Sequence, residues 1–140
     1  MLYFDSSLIV SLLSSEARTV ELQGWFSRLN PEMLYLSHWV LTEFQSAMSF
    51  KRRTGQLSID QRQRAELIFG SYVDSYFKTL PVTSRHFHRA ADIAGREDIN
   101  IRAADALHLA IAEASGATVC TLDNKMHHAA GMLEIACLVP

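Results

Sequence analysis

Short apolar runs alternate with longer helical stretches along this chain, and that alternation restricts the fold more than any other feature. Residues 2–5, 33–36, 80–82, 118–122 and 134–139 read as strands. Between them lie helical patterns: 6–14, capped by Ser6 or Ser7; 16–29, opened by Ser15; one from Ser37 to 53; 58–77, opened by Ser58; one from Thr83 or Ser84 to 95; 101–114, capped by Asn100; and 124–130. Asn30-Pro31, Thr54-Gly55 and Gly116 interrupt or stop these helices. Short apolar strands of this kind are buried on both faces. Strands and helices in alternation therefore imply a parallel sheet covered on both sides, with right-handed crossovers. The expected architecture is α/β: a three-layer sandwich around a parallel sheet of about five strands. The two helices meeting at 54–58 are expected to stand out from the sheet as a hairpin, the second presenting Ile59, Leu67, Ile68, Tyr72, Val73 and Tyr76 as its apolar face.

At 140 residues and 49% apolar composition, residues 1–140 are read as a single domain with its own core. The formal charge of −2 announces neither nucleic acid nor membrane, so any nucleic-acid contact needs a local basic patch. Cys120 and Cys137 fall inside apolar runs without metal-ligand spacing and read as free buried thiols, suited to a reducing compartment. The apolar stretch 8–13 has no basic residues ahead of it and is too short to span a bilayer. The expected location is cytoplasmic, with no membrane association.

Four carboxylates sit where chain reversals bring them together. Asp5 and Asp123 end strand-like runs, and ligands of open parallel sheets collect outside the carboxyl ends of the strands. Glu43 and Asp105 lie inside helical patterns among core-facing residues, where a charge is costly unless something positive meets it. No Arg or Lys is locally placed to neutralise all four. A hard divalent cation such as Mg²⁺, bound through oxygen, would do so. Ser6 and Ser7 follow Asp5 closely enough to hydrogen-bond a carboxylate or a metal-bound water. Each acid also has an ordinary reading: Asp5 as a helix cap, Glu43 as a solvated helix residue, Asp105 as a partner of a helix dipole, Asp123 as a turn former. Their joint placement favours one shared site.

The motifs YFDSSLIVSLL, LTEF, RAADALHLAIA and TLDNKM, in that order, resemble those of the PIN-domain ribonucleases, and the size is similar to that of the VapC-type toxins of prokaryotic toxin–antitoxin pairs. The resemblance implies a PIN-like fold and a Mg²⁺- or Mn²⁺-dependent endoribonuclease acting on structured RNA such as tRNA or rRNA. It also implies inhibition by a small cognate antitoxin whose tail occupies the groove, and a homodimer. Carried over by motif, Asp5, Glu43, Asp105 and Asp123 are the catalytic metal ligands. Many relatives have another acid two residues beyond the fourth motif's Asp; here that position is Lys125, which disfavours a filled second metal site.

Lys51, Arg52 and Arg53, with Arg62 and Arg64 nearby, cluster at the expected hairpin tip and read either as a solvated helix end or as phosphate contacts, with Lys125 as a further candidate RNA contact. His108 lies three residues after Asp105 on a neighbouring helical face and reads as partly buried packing; His127 and His128 are adjacent and cannot serve one site from a helix. Trp25, Trp39, Met48, Phe50, Phe69 and Phe77 read as core or interface anchors. A receiver-type phosphoacceptor would need an acidic pair at the first strand's end, and an aspartyl phosphatase a second Asp where Ser7 stands. The rival outside enzymology is a PIN-like module that binds RNA or a protein without cutting.

Overall fold

The computed structural model describes residues 1–14 and 16–140, so the expected opening of the second helix at Ser15 lies outside the described residues. The chain runs β1 (Leu2–Phe4), α1 (Ser6–Leu13), α2 (Thr19–Phe26), a 3₁₀ turn (Pro31–Met33), β2 (Leu34–Ser37), α3 (His38–Arg53), α4 (Ile59–Ser75), β3 (Lys78–Leu80), α5 (Ser84–Ala94), α6 (Ala103–Ser115), β4 (Thr118–Cys120), α7 (Asn124–Met132) and β5 (Cys137–Leu138). The five strands form one all-parallel sheet in the order β3-β2-β1-β4-β5, flanked by helices.

This order carries a functional consequence. The chain builds outward from β1 through β2 to β3, then returns to the other side of β1 for β4 and β5. The reversal makes the crevice between β1 and β4 a topological switch point, the place where open α/β sheets leave room for a ligand above the strand ends. Phe4 is in register with Cys120, and the Asp5 amide donates to the Cys120 carbonyl at 3.1 Å, so the two strands leave the sheet together. The central strand is fully covered: Tyr3 and Phe4 are buried, with Phe4 set against Trp25, Phe26 and Phe77 at ring-centroid distances of 5.2–5.9 Å. Both edges are short, three residues in β3 and two in β5.

Several elements differ from the sequence expectation, each for a local reason. Asp5, rather than Ser6 or Ser7, caps α1 by accepting from the Leu8 amide at 3.0 Å. The helix after Asn100 begins later, at Ala103, because Asn100 takes a positive φ of 47° that no helix entry accommodates. The third strand is shifted to Lys78–Leu80, ending before Pro81, which has no amide to give a ladder. Helix α2 is shorter than 16–29, spanning Thr19–Phe26.

Helix α4 turns a different face inward. Ala65 and Phe69 are its buried residues, with Phe69 packed on Phe44 of α3 at 4.1 Å between ring centroids, and Tyr72 and Val73 lie against the core. Ile59, Leu67, Ile68 and Tyr76, expected to be covered, are exposed, Leu67 by 77%. The α3–α4 joint is not wholly solvated, since Leu57 is buried although Gly55 is exposed. Met48 and Phe77 are buried, whereas Phe50 is exposed. Cys120 and Cys137 are free thiols on adjacent strands, pushed up to about 12 and about 11 respectively, first by burial. Among the described residues no helix is long and apolar enough to cross a membrane.

Candidate metal centre

Parallel strands feed helices that return down the sheet, so the start of each following helix lies at the strands' carboxyl ends. A helix leading into a parallel strand runs the opposite way to it and also begins at that end. The topology therefore gathers the start of α1 with Asp5, the second turn of α3 with Glu43, the first turn of α6 with Asp105, and the start of α7 with Asp123. Three of these helices carry the acid as cap or first-turn residue, where the dipole favours negative charge.

Asp5 is 1% exposed and held by four donor contacts. The Ser7 hydroxyl lies 2.9 Å from both its oxygens, the Leu8 amide donates to Oδ1 at 3.0 Å, and the Thr121 hydroxyl donates to Oδ2 at 2.6 Å. Burial pushes its carboxyl above the usual range, opposed by the nearby His108 imidazole and by these hydrogen bonds. Thr121 also accepts from the Asp123 amide at 2.9 Å, and Ser7 accepts from the Leu122 amide at 3.1 Å. Ser7 and Thr121 thus bind the end of β1 to the turn after β4. Ser7 makes these bonds, whereas Ser6 makes no side-chain hydrogen bond among the described residues.

Asp123 caps α7, its Oδ1 accepting from the amides of Lys125 at 2.7 Å and Met126 at 3.0 Å. Asp105 is half-buried and has no side-chain hydrogen bond or ion pair among the described residues. Its carboxyl is raised, first by burial, then by the negative charge of Asp123; His108 opposes this, and Glu43 and Asp5 add to it. Asp105 therefore senses all three other acids. It opens with Asp123 into a cleft of about 470 Å³ lined also by Asn100, Arg102, Asn124 and Lys125.

Glu43 has a partner the sequence did not reveal. His108 is 1% exposed, not partly buried packing, and its Nε2 lies 2.6 Å from Glu43 Oε2. Its Nδ1 meets the Tyr3 hydroxyl at 2.8 Å, and Tyr3 in turn meets the Ser37 hydroxyl at 2.8 Å. Burial raises the Tyr3 phenol far above its ordinary range, opposed by the Ser37 hydrogen bond and reinforced by Glu43 and Asp5, so it stays protonated. Thr121, His108, Tyr3 and Ser37 are the supporting residues that sequence reading missed. The i, i+3 spacing of His108 from Asp105 was the one visible signal.

No three His, Cys, Asp or Glu side chains among the described residues already close on one ion-sized point. Asp5 and Asp123 are turned onto helix caps and Glu43 onto His108. The donor set nonetheless suits a hard cation. It is all carboxylate oxygen, and among the described residues no Lys or Arg forms an ion pair with any of the four acids.

The basic patch divides. Lys51 is paired with Glu16 at 2.6 Å, and Glu16 also accepts from Ser11 and Ser14, so Lys51 ties α3 to the end of α1. Arg52 and Arg53 form no ion pair among the described residues. Arg62 is paired with Glu66.

The sequence matches the PIN domain family over residues 2–132, and the chain belongs to that family. Solved structures with the same fold include FitAcB from Neisseria gonorrhoeae, at 21% identity and a TM-score of 0.73, covering all of this chain and 98% of that one. VapC20 of Mycobacterium tuberculosis, described as a sarcin–ricin loop cleaving toxin, is 16% identical with a TM-score of 0.72, covering 92% of this chain and 95% of that one. VapBC2 from Rickettsia felis, solved bound to a DNA fragment from its promoter, is 17% identical with a TM-score of 0.68, covering 99% and 98%. No curated protein matches the chain.

Proposed function

We propose that this protein is a metal-dependent endoribonuclease and the toxin of a type II toxin–antitoxin pair, working in the cytoplasm. The observation that supports the reading is the electrostatic coupling of Asp105 to Asp123, Glu43 and Asp5 near the β1–β4 switch point, with no Lys or Arg paired to any of the four among the described residues. Such a cluster repels a polyanion on its own, so it becomes a phosphodiester site only when Mg²⁺ or Mn²⁺ is held by those four carboxylates. Bound there, the ion supplies charge stabilisation at the scissile phosphate and a more acidic water. The chain's own residues do the rest. Ser7, Thr121 and the Leu8 amide fix Asp5, the α6 terminus presents Asp105 to the cleft, and Arg102 and Lys125 at its rim offer positive charge to the RNA backbone.

The relatives solved as toxin–antitoxin complexes support a small protein partner. An antitoxin cation entering the acidic cleft would replace the metal electrostatically. A homodimer and a structured RNA substrate, tRNA or rRNA, belong to the same reading. The test is cleavage of RNA by the purified chain with Mg²⁺ or Mn²⁺, silenced by chelator and by Asp105→Asn in a folded protein. Cleavage that persists in excess chelator rejects the metal mechanism. Absence of cleavage in every metal favours a PIN-like binding module instead.

A further inference from the structure

We propose that His108 is a positioning residue for the metal centre, held by Tyr3 and Ser37 so that Glu43 offers a single oxygen to the cation; this rests on the metal-centre reading above. The three supporting side chains are buried, Tyr3 and Ser37 completely. Their contacts form one line: Ser37 Oγ to Tyr3 OH at 2.8 Å, Tyr3 OH to His108 Nδ1 at 2.8 Å, His108 Nε2 to Glu43 Oε2 at 2.6 Å.

Counting hydrogens gives the line a direction. A carboxylate oxygen only accepts, so a proton must sit on Nε2; a bare Nε2 would set two lone pairs against each other. With Nε2 protonated, the neutral ring leaves Nδ1 as acceptor, Tyr3 donates to it, and Ser37 donates to Tyr3. Three hydrogens fill three bonds and no buried group is left wanting. The carboxylate at the end is fixed through Oε2, while Oε1 has no hydrogen-bond partner among the described residues.

A second observation agrees. Ser37 occupies the N-cap of α3, where a serine ordinarily satisfies an amide of the first turn, yet it makes no such bond. Its hydroxyl is committed to Tyr3 instead. A local capping rule is broken in favour of a contact that leads to the site. Outer partners of this kind orient metal ligands, and their loss typically weakens metal affinity about 10–100-fold.

Mn²⁺ titration of the purified protein, read from the resonance of free Mn²⁺ and needing no RNA, tests this. An asparagine amide reaches the position of Nδ1 and a glutamine amide that of Nε2. His108→Asn keeps an acceptor for Tyr3 but loses the donor to Glu43, and should weaken Mn²⁺ binding by about 10–100-fold. His108→Gln restores the donor and should recover most of that loss. Tyr3→Phe should weaken binding less than His108→Asn, with the melting temperature and circular dichroism showing a folded chain throughout. Equal affinities for the Asn and Gln variants, or an Asn variant that binds like the parent, overturn the proposal. If neither His108 variant folds, Tyr3→Phe decides, and unchanged affinity there overturns it. A parent chain that binds no Mn²⁺ at all rejects the metal-centre reading and this one with it, an outcome distinct from a parent that binds and variants that match it.

Discussion

Asp5 and Asp105 carry the same charge at the same end of one sheet, but the protein treats them oppositely. Asp5 is sealed in, capped onto α1 and gripped by Ser7 and Thr121. Asp105 is half-open to the cleft, without a hydrogen bond among the described residues, and surrounded by the charge of the other acids. One side of the centre is built into the fold, and the other is left electrostatically unsatisfied. Burial alone does not explain this, since the more buried acid is the better solvated by protein donors. On the proposed function, the difference teaches that the unsatisfied side is where an incoming cation would gain most.

The sharpest way to break the comparison is activity. On the proposed function, Asp105→Asn and Asp5→Asn should each reduce metal-dependent RNA cleavage by on the order of 10³-fold, the scale of removing one preorganised electrostatic group. Cleavage assays that find either variant near parental activity would remove that residue from the centre. Asp123→Asn should fall less far and recover at high metal concentration, because Lys125 two residues on adds positive charge that disfavours tightly held metal on that side. Equal and unrecoverable losses at Asp105 and Asp123 would make Asp123 a primary ligand and Lys125 irrelevant to occupancy.

A stability measurement separates the two acids further. Thr121→Val removes the 2.6 Å donor to Asp5 and should cost about 1–3 kcal/mol in denaturant unfolding, since it leaves a buried acceptor short of a partner. Asp105 offers no equivalent bond to delete. At the hairpin, Arg52→Ala with Arg53→Ala should weaken RNA binding and reduce its salt slope by about one to two. Lys51→Ala should instead act on stability through the lost Glu16 pair. An unchanged slope would make that face a protein-binding or solvated surface.

The smallest expected effect carries a definite sign. Asp105 has a folded-state value raised above its ordinary 3.8. Its contribution to stability is therefore fully present below pH 3.8 and lost as pH rises through the raised value. At neutral pH and without metal, Asp105→Asn should melt slightly higher than the parent, and the gap should close in acid. A lower melting temperature would show that the charged form of Asp105 is compensated in the fold.

The sheet was legible in the sequence because its strands are marked by short apolar runs punctuated with Asn-Pro, Thr-Gly and Gly. The positions of the four acids were legible for the same reason: Asp5 directly follows β1, Glu43 and Asp105 sit early in helices, and Asp123 comes soon after β4, although that strand stops at Cys120 rather than at Leu122. Features depending on contacts between distant segments were not. The Thr121 hydroxyl reaches Asp5 across 116 positions, and His108 reaches Glu43 across 65. The face of α4 was misread because its exposed Ile59, Leu67 and Ile68 look like core residues, whereas the pairing of Phe69 with Phe44 decides its rotation. The Lys51–Glu16 pair was not legible because charge alone does not reveal a carboxylate arriving from the end of another helix.

The sheet's short margins limit how this protein can be held. At one margin, β3 begins with Lys78, tied to Glu32 at 2.5 Å, and stops before Pro81; at the other, β5 is only two residues long. Unpaired strand edges invite another chain to extend the sheet, and a charged residue, a proline and a very short strand each discourage it. A peptide cannot readily dock here by strand addition, which needs a run of free main-chain groups. Any partner must engage side chains, on the helical faces or in the acidic cleft. That also makes the native fold a poor template for edge-to-edge aggregation, even where the chain accumulates without a partner.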